Sequence, residues 1–210
     1  MSRRFILASA SPRRRELLTA LGATFDVRPA DLDEVAVAAG FPPEQGVLAV
    51  ARAKAGARSD GVTPVLAADT IVVLDGVVLG KPADAADSRR MLQALSGRLH
   101  HVLTAVCVRD PNGEHAVLID SAVSMRVLGT SEIDDYVASG QGLDRAGSYG
   151  IQDDGFAPVA SIEGCYCNVM GLPLWTACQL LTRVDAAPPQ LPPTAFARCA
   201  VCPYQQTFGG

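Results

Sequence analysis

No stretch of this sequence approaches the roughly 18–20 consecutive apolar residues that a membrane-spanning helix needs. The short apolar run within MSRRFILASA at its start falls below the length of a secretory leader's core. A cytoplasmic protein is therefore expected, with no membrane among its partners. Charge is scarce, with 19% of residues charged against 49% hydrophobic, the reverse of the balance that keeps a chain disordered. The charge present shows no basic excess, since 18 Lys and Arg stand against 22 Asp and Glu for a net −4. That argues against nucleic acid as a partner, because contact with a phosphate backbone calls for a basic face. A small anion is still compatible, because a few clustered cations and a metal can make a local positive cleft. The sequence has no internal repeat, and its 210 residues suffice for one substantial or two-lobed domain but not for two large ones. The six cysteines (Cys107, Cys165, Cys167, Cys178, Cys199 and Cys202), in a chain without secretory features, are expected to be reduced.

The stretch that organises the rest is LASASPRRRELL at 7–18. A short apolar run ends at Ser9, Ser11 can cap a helix, Pro12 suits its first position, and Leu17, Leu18 and Leu21 form an apolar stripe. Arg13, Arg14 and Arg15 then fall in the first helical turn, beside unpaired N–H groups and the positive end of the macrodipole. Cations there are misplaced by about 0.3–1 kcal/mol each in an isolated helix. A bound phosphate reverses that sign, accepting from free N–H groups, from Ser9 or Ser11 and from the guanidinium forks. The alternative at this point is an exposed basic helix start solvated by water.

Along the rest of the chain, Thr24–Arg28 predicts a strand leading into an acidic loop, Asp31-Leu-Asp-Glu34. The spacing predicts a helix over 43–59, with Val47, Ala51, Lys54 and Arg58 on one face, so that Lys54 either snorkels to solvent or reaches into a cleft. Val65–Ala68 is the continuous apolar run of a strand buried on both faces, and it stops at Asp69. An acid at the end of such a strand is where open α/β sheets place their chemistry. Ile71–Leu74 and Val77–Leu79 flank Asp75-Gly76, a hairpin signal, and Gly80-Lys81-Pro82 then brings a lysine back toward Asp69. Asp84 caps a helix closed by Gly97. Leu99–Arg109 and Glu114–Leu128 predict a long antiparallel hairpin, residues 131–139 a helix, Gly142–Gln152 an irregular loop against the site, and Leu172–Val184 the last helix. Beyond Asp185, prolines at 188, 189, 192 and 193 predict a tail over 186–210 with little claim to the core, leaving residues 1–185 as the domain.

Over residues 4–184 the chain resembles the Maf family of nucleoside triphosphate pyrophosphatases. The resemblance rests on LASASPRR at 7–14, Glu34, ARAKA at 51–55, AADTIVVLDGVVLGKP at 67–82, LSG at 95–97, YVASG at 136–140, AGSYGIQ at 146–152 and NVMGLPL at 168–174. It implies an α/β fold with a mixed, elongated central sheet, flanking helices and two lobes around a deep cleft, of the inosine-triphosphatase kind, often as a homodimer. It also implies hydrolysis of a nucleoside triphosphate between the α and β phosphates, with a divalent metal cation, magnesium or manganese. Position by position, Ser9, Arg13, Arg14, Lys54 and Lys81 match the family's phosphate-binding residues. Glu34 and Asp69 match its metal-site acids, and Asp69 its proton acceptor. Arg13, Thr70 and Gln152 match the positions that sort the family by base, and Thr70 with AGSYGIQ is similar to the branch acting on dTTP and UTP.

The chemistry explains why such residue types are needed. A triphosphate bears about four negative charges near neutral pH, which repel an attacking water and which lysines, arginines and a divalent cation disperse. A lone aspartate with a pKa of about 3.9 is a weak base at pH 7. Coordination of the water to a metal lowers the water's pKa and eases the carboxylate's task. Three other readings stay open: action on a purine or modified nucleotide, a non-catalytic nucleotide-binding regulator of cell division, and a zinc or redox protein. The last would be built on Cys165-X-Cys167 and Cys199-X-X-Cys202, although zinc knuckles usually use two-residue spacings in both pairs. The resemblance offers no counterpart for the cysteines of the C-terminal segment.

Overall fold

The computed structural model describes residues 3–153 and 155–206. Its centre is a seven-stranded mixed sheet made of β1 (Phe5–Leu7), β2 (Phe25–Val27), β3 (Val65–Leu74), β4 (Val77–Leu79), β5 (Leu99–Asp110), β6 (Gly113–Met125) and β7 (Val159–Glu163). The helices are α1 (Pro12–Ala20), α2 (Glu34–Ala38), α3 (Pro43–Ala57), α4 (Ala85–Leu95), α5 (Thr130–Ser139), α6 (Tyr166–Val169), α7 (Leu174–Thr182) and α8 (Pro192–Ala195). The strand order is β2-β1-β3-β5-β6-β7, with β4 attached to β3. β1 runs parallel to both β2 and β3, which requires crossovers; α1 supplies the first, and α2 with α3 the second. The remaining pairings are antiparallel. No helix among the described residues is long and apolar enough to cross a membrane.

The sequence signals act where expected at several ends. Ser11 accepts from the Arg14 amide at 3.5 Å, and Asp84 accepts from the Asp87 amide at 2.8 Å. Asp110 Oδ1 accepts from the amides of Asn112 and Gly113 at 2.9 and 3.0 Å, which folds the tight turn between β5 and β6.

β3 governs the site, and it departs from the expected stop at Asp69. β5 pairs with it continuously from Val65 to Val73, so the strand runs straight through Asp69 instead of ending there. On its opposite edge β1 pairs only at Val65 and Leu66, and β4 only at Val72–Leu74. Residues 67–71 therefore have a neighbouring strand on one side alone. That notch divides two lobes sharing one sheet. In the first, Leu17, Leu18 and Leu21 pack with Leu7, Leu66 and the apolar face of α7, while Val47, Ala51 and Ala55 of α3 cover the opposite face. In the second, Val72, Leu74 and Leu79 meet Met91, Leu92 and Leu95 of α4 and Ile133, Tyr136 and Val137 of α5.

Three further expectations are corrected. The acidic loop 31–34 runs into helix: Asp33 caps α2 by accepting from the Ala36 amide at 3.0 Å, and Glu34 is the first helical residue. The helix expected over 172–184 begins at Leu174, because Pro173 takes the cap position, and α8 follows it. The segment after 185 also lies on the core in its described part. Ala186, Cys199 and Cys202 are buried, and Phe196 and Tyr204 pack against the α1/α7 cluster. Trp175 Nε1 donates to the Cys199 carbonyl at 2.9 Å, and the Tyr204 hydroxyl donates to the Asp120 carbonyl at 2.8 Å. Its prolines confine it to short helical turns, so it has no apolar periodicity to betray the anchoring side chains.

Candidate active site

The notch gathers charged groups from four elements. Asp69 stands on the open edge of β3, 7% exposed, with its Oδ1 accepting from Lys54 Nζ at 2.8 Å. Lys54, also 7% exposed, arrives from the last turn of α3, on the face it shares with Val47 and Ala51. The same ammonium meets Glu34 Oε1 at 2.7 Å, and Glu34 faces solvent at the start of α2. One cation thus holds both acids together. Of the Asp69 carboxylate oxygens, only Oδ1 has a hydrogen-bond partner among the described residues, which leaves Oδ2 for a water.

The three arginines of α1 have different fates. Arg14 is turned inward and buried, its Nη1 donating to Ser9 Oγ at 3.0 Å, its Nη2 to Thr70 Oγ1 at 3.0 Å and its Nε to the Gly171 carbonyl at 2.8 Å. Burial lowers its pKa, and the charges of Asp69 and Glu34 oppose that shift. Arg14 is therefore a fixed positive charge beside the acids, held by protein and not free to follow a ligand. Arg13 is half-buried on the second side of the notch, where its one ion pair among the described residues, to Asp144, is a long 3.8 Å. Burial, and then the charge of Arg145, lower its pKa, while Asp144 and Asp153 oppose them. Arg15 points to solvent.

Behind Arg14 lies a support that the sequence reading left without a role. Thr70 Oγ1 contacts Thr104 Oγ1 at 3.0 Å, and Thr104 bonds the Asn168 carbonyl at 3.1 Å. The Asn168 amide is fully buried and donates to the Val102 carbonyl at 2.8 Å and to Ser121 Oγ at 2.9 Å. Gly171 adopts φ 100°, and this backbone turn aims its carbonyl at Arg14. The signal was the NVMG motif itself, whose asparagine and glycine are poor choices for a helix interior. Thr70 is thus tied to Arg14, and any part it has in base choice acts through that position.

The second wall is the loop over 141–153. Gly147, at φ 67°, sits so close to β3 that a Cβ there would lie 2.9 Å from Val72 Cγ2. Its amide donates to the Gly80 carbonyl at 3.0 Å, which holds the segment carrying Lys81 against the loop. Lys81 itself is exposed and has no partner in the notch among the described residues. Asp153 pairs with Arg145 and accepts from the Tyr136 hydroxyl at 2.5 Å, while Ile151 packs against both lobes' cores. Gln152 lies between these two anchors with its side chain exposed. Ser9, Arg14, Lys54, Glu34, Asp69 and Thr70 are thus brought together directly, Arg13 is tied electrostatically to the loop that carries Gln152, and Lys81 joins through the backbone of Gly80.

The site suits a hard divalent cation. Two carboxylates already converge on one positive charge, and a small cation of this kind is commonly held by one or two carboxylates together with substrate phosphates. Lys54 occupies the space between them, so it would move aside as a metal entered.

The family described as Maf-like protein matches residues 4–184. A dTTP/UTP pyrophosphatase of Anaeromyxobacter dehalogenans is 54% identical over 187 residues, 87% of this chain and 95% of its own. That of Moorella thermoacetica is 50% identical over 182 residues, covering 85% and 93%. That of Aliivibrio fischeri is 44% identical over 192 residues, covering 86% and 98%. Among solved structures, a nucleoside-triphosphatase (dITP/XTP pyrophosphatase) of Mycobacterium abscessus aligns with 66% of this chain and 95% of its own at TM-score 0.39 and 19% identity.

Proposed function

Because the chain belongs to the Maf family, we infer that it is a nucleoside triphosphate pyrophosphatase, hydrolysing dTTP and UTP between the α and β phosphates to the monophosphate and pyrophosphate. The observation that carries this reading is the Asp69–Lys54–Glu34 cluster on the unpaired edge of β3, beside the buried Arg14. Asp69 orients a water through its free oxygen and accepts the proton as the water attacks the α phosphorus. Lys54, which would leave the two carboxylates when a metal is held there, lies in reach of the charge developing on the phosphoryl oxygens. Arg13, with its weak pairing to Asp144, and Lys81, exposed beside the loop, are the cations free to close on the leaving pyrophosphate. Arg14 and Ser9 keep the first turn of α1 open toward the phosphates. Glu34 and Asp69 are the residues that would hold magnesium or manganese, which supplies charge neutralisation and a more acidic water. The cytoplasm, where such triphosphates are made and consumed, is the compartment we assign.

Turnover in ¹⁸O-water tests the bond cleaved. Label in the monophosphate means attack at the α phosphorus, label in the pyrophosphate means attack at the β phosphorus, and no product with saturable binding means a nucleotide-binding regulator.

Two results are expected of this site. Arg13→Ala should slow turnover by about 10-fold or more, by loss of a charge-assisted phosphate contact. Its unfolding midpoint without nucleotide should stay put, since the arginine is incompletely compensated where it stands. A large loss of thermal stability in the apo protein would instead make Arg13 structural. Gln152→Ala should lower kcat/KM for dTTP and UTP by roughly 5- to 150-fold, the 1–3 kcal/mol of a lost partner, and lower it less for poor substrates. A glutamine amide can both donate to and accept from the imide edge of uracil or thymine. An equal loss on all triphosphates would make Gln152 a loop-packing residue.

A further inference from the structure

The nucleotide chemistry leaves four cysteines unused, and the fold brings them together. Cys165 and Cys167 bracket the start of α6, whereas Cys199 and Cys202 lie in the helical turns after α8, 32 residues on from Cys167 to Cys199. All four are free and buried, none more than 4% exposed. Cys167 Sγ lies 3.5 Å from Cys199 Sγ, and the Cys165 thiol hydrogen-bonds that of Cys202. Each of Cys165 and Cys167 also feels both Cys199 and Cys202 electrostatically, so the two pairs adjoin.

We propose that Cys165, Cys167, Cys199 and Cys202 form a tetrathiolate site for one structural zinc ion, which clips the C-terminal segment to the core.

The spacing supports a metal over a covalent bridge. A disulfide needs sulfurs about 2.05 Å apart. Four thiolates at about 2.3 Å from a tetrahedral zinc stand about 3.8 Å from one another, close to the separation found here. The thiols stand as two facing pairs, and among the described residues no three donors are already set around a common point. Entry of the ion therefore draws the two pairs together around it. The surroundings are those of a thiolate centre: the Asn168 amide donates to Cys165 Sγ at 3.4 Å, and the Cys202 amide turns back onto the Cys199 carbonyl at 3.4 Å. Arg198, next to Cys199, places its guanidinium 4.5 Å over the ring of Tyr166, which lies between Cys165 and Cys167. That positive charge offsets part of the net −2 of a zinc tetrathiolate. The balance is simple: one Zn²⁺ enters, four S–H protons leave to solvent, and nothing is oxidised or reduced.

The clip also answers a stability question raised by the fold. The described part of the segment has only a four-residue helix and 3₁₀ turns, which give little cooperative hydrogen bonding. Its attachment rests on scattered side chains, and a bound metal contributes its binding free energy directly to such folding.

The test is the metal content of the full chain, purified without a histidine tag and under thiol reductant, together with cobalt substitution. One zinc per chain is expected. Cobalt in its place should show the intense visible bands and sulfur-to-cobalt charge transfer of a tetrahedral thiolate centre. The double variant Cys199→Ser/Cys202→Ser should lose the zinc, whereas Cys107→Ser, in the separate cluster under α3, should keep it. Zinc-free protein that shows no thiolate spectrum with cobalt would overturn the proposal, and so would zinc retained by the double variant. A mass 4 Da below the fully reduced value, showing two disulfides in the protein as isolated without reductant, would overturn it too.

Discussion

Asp69→Asn should lower turnover of dTTP and UTP by about 100- to 10,000-fold, the range removed with a positioned general base, while the protein stays folded and still binds nucleotide. The substitution keeps the shape of the side chain and an oxygen that can accept from Lys54 Nζ. It removes the charge and the capacity to take a proton. An amide is also a poorer ligand for a hard divalent cation, so both functions assigned to the residue fail together. The fold should survive because Lys54 retains Glu34 at 2.7 Å and because β3 is held by its ladder to β5 on either side of position 69. Circular dichroism and dTTP binding by calorimetry establish that the variant is intact, and pyrophosphate release measures the loss. Near-normal turnover would remove Asp69 from the chemistry.

Much of this site was legible before the fold was known, for a physical reason. Ser11, Pro12 and the leucine stripe fix α1 by local rules of capping and periodicity, and three arginines in a first helical turn pointed either to an anion or to a solvated helix start, of which Arg15 took the second course. The periodicity of α3 likewise places Lys54 on its buried face. Non-local pairing was out of reach. The break in β3's partners between Leu66 and Val72, which creates the notch, depends on where β1 ends and β4 begins along a strand that runs through both. No local signal marks it, and the apolar run ending at Asp69 suggested a strand end instead. The inward turn of Arg14 was hidden for the same reason, since its partners Thr70 and Gly171 lie 56 and 157 residues away. The docking of the C-terminal segment was masked because cysteines and aromatics among prolines carry no period, although the C-X-C and C-X-X-C spacings were visible in the sequence.

Lys54→Met should cost about 3–5 kcal/mol of stability in chelator-treated protein at neutral pH, the usual result of removing one partner of a buried ion pair. For a domain of this size that is a fall of roughly 6–20 °C in Tm. The cause is the stranded partner more than the lost bond. Asp69 is only 7% exposed, so water reaches little of its carboxylate, and without the ammonium its charge keeps no ion-pair partner among the described residues beyond the neighbouring field of Arg14. The Glu34 arm makes a contrast within the same cluster. Its bridge to Lys54 is as short, 2.7 Å against 2.8 Å, yet its side chain is half exposed, so Glu34→Gln should cost no more than about 1 kcal/mol. Two bridges to one ammonium thus differ several-fold in worth, because only one of the acids depends on it for solvation. The double variant Lys54→Met/Asp69→Asn should recover most of the stability, since it removes the stranded charge, and should remain inactive. Saturating Mg²⁺ should restore part of the Tm of Lys54→Met but not of the double variant, because the ion can replace the ammonium only where Asp69 and Glu34 both remain to hold it. If Lys54→Met melts within about 2 °C of the unmodified protein, well below the shift expected for a buried pair, Asp69 is solvated through the notch and its charge does not rely on Lys54.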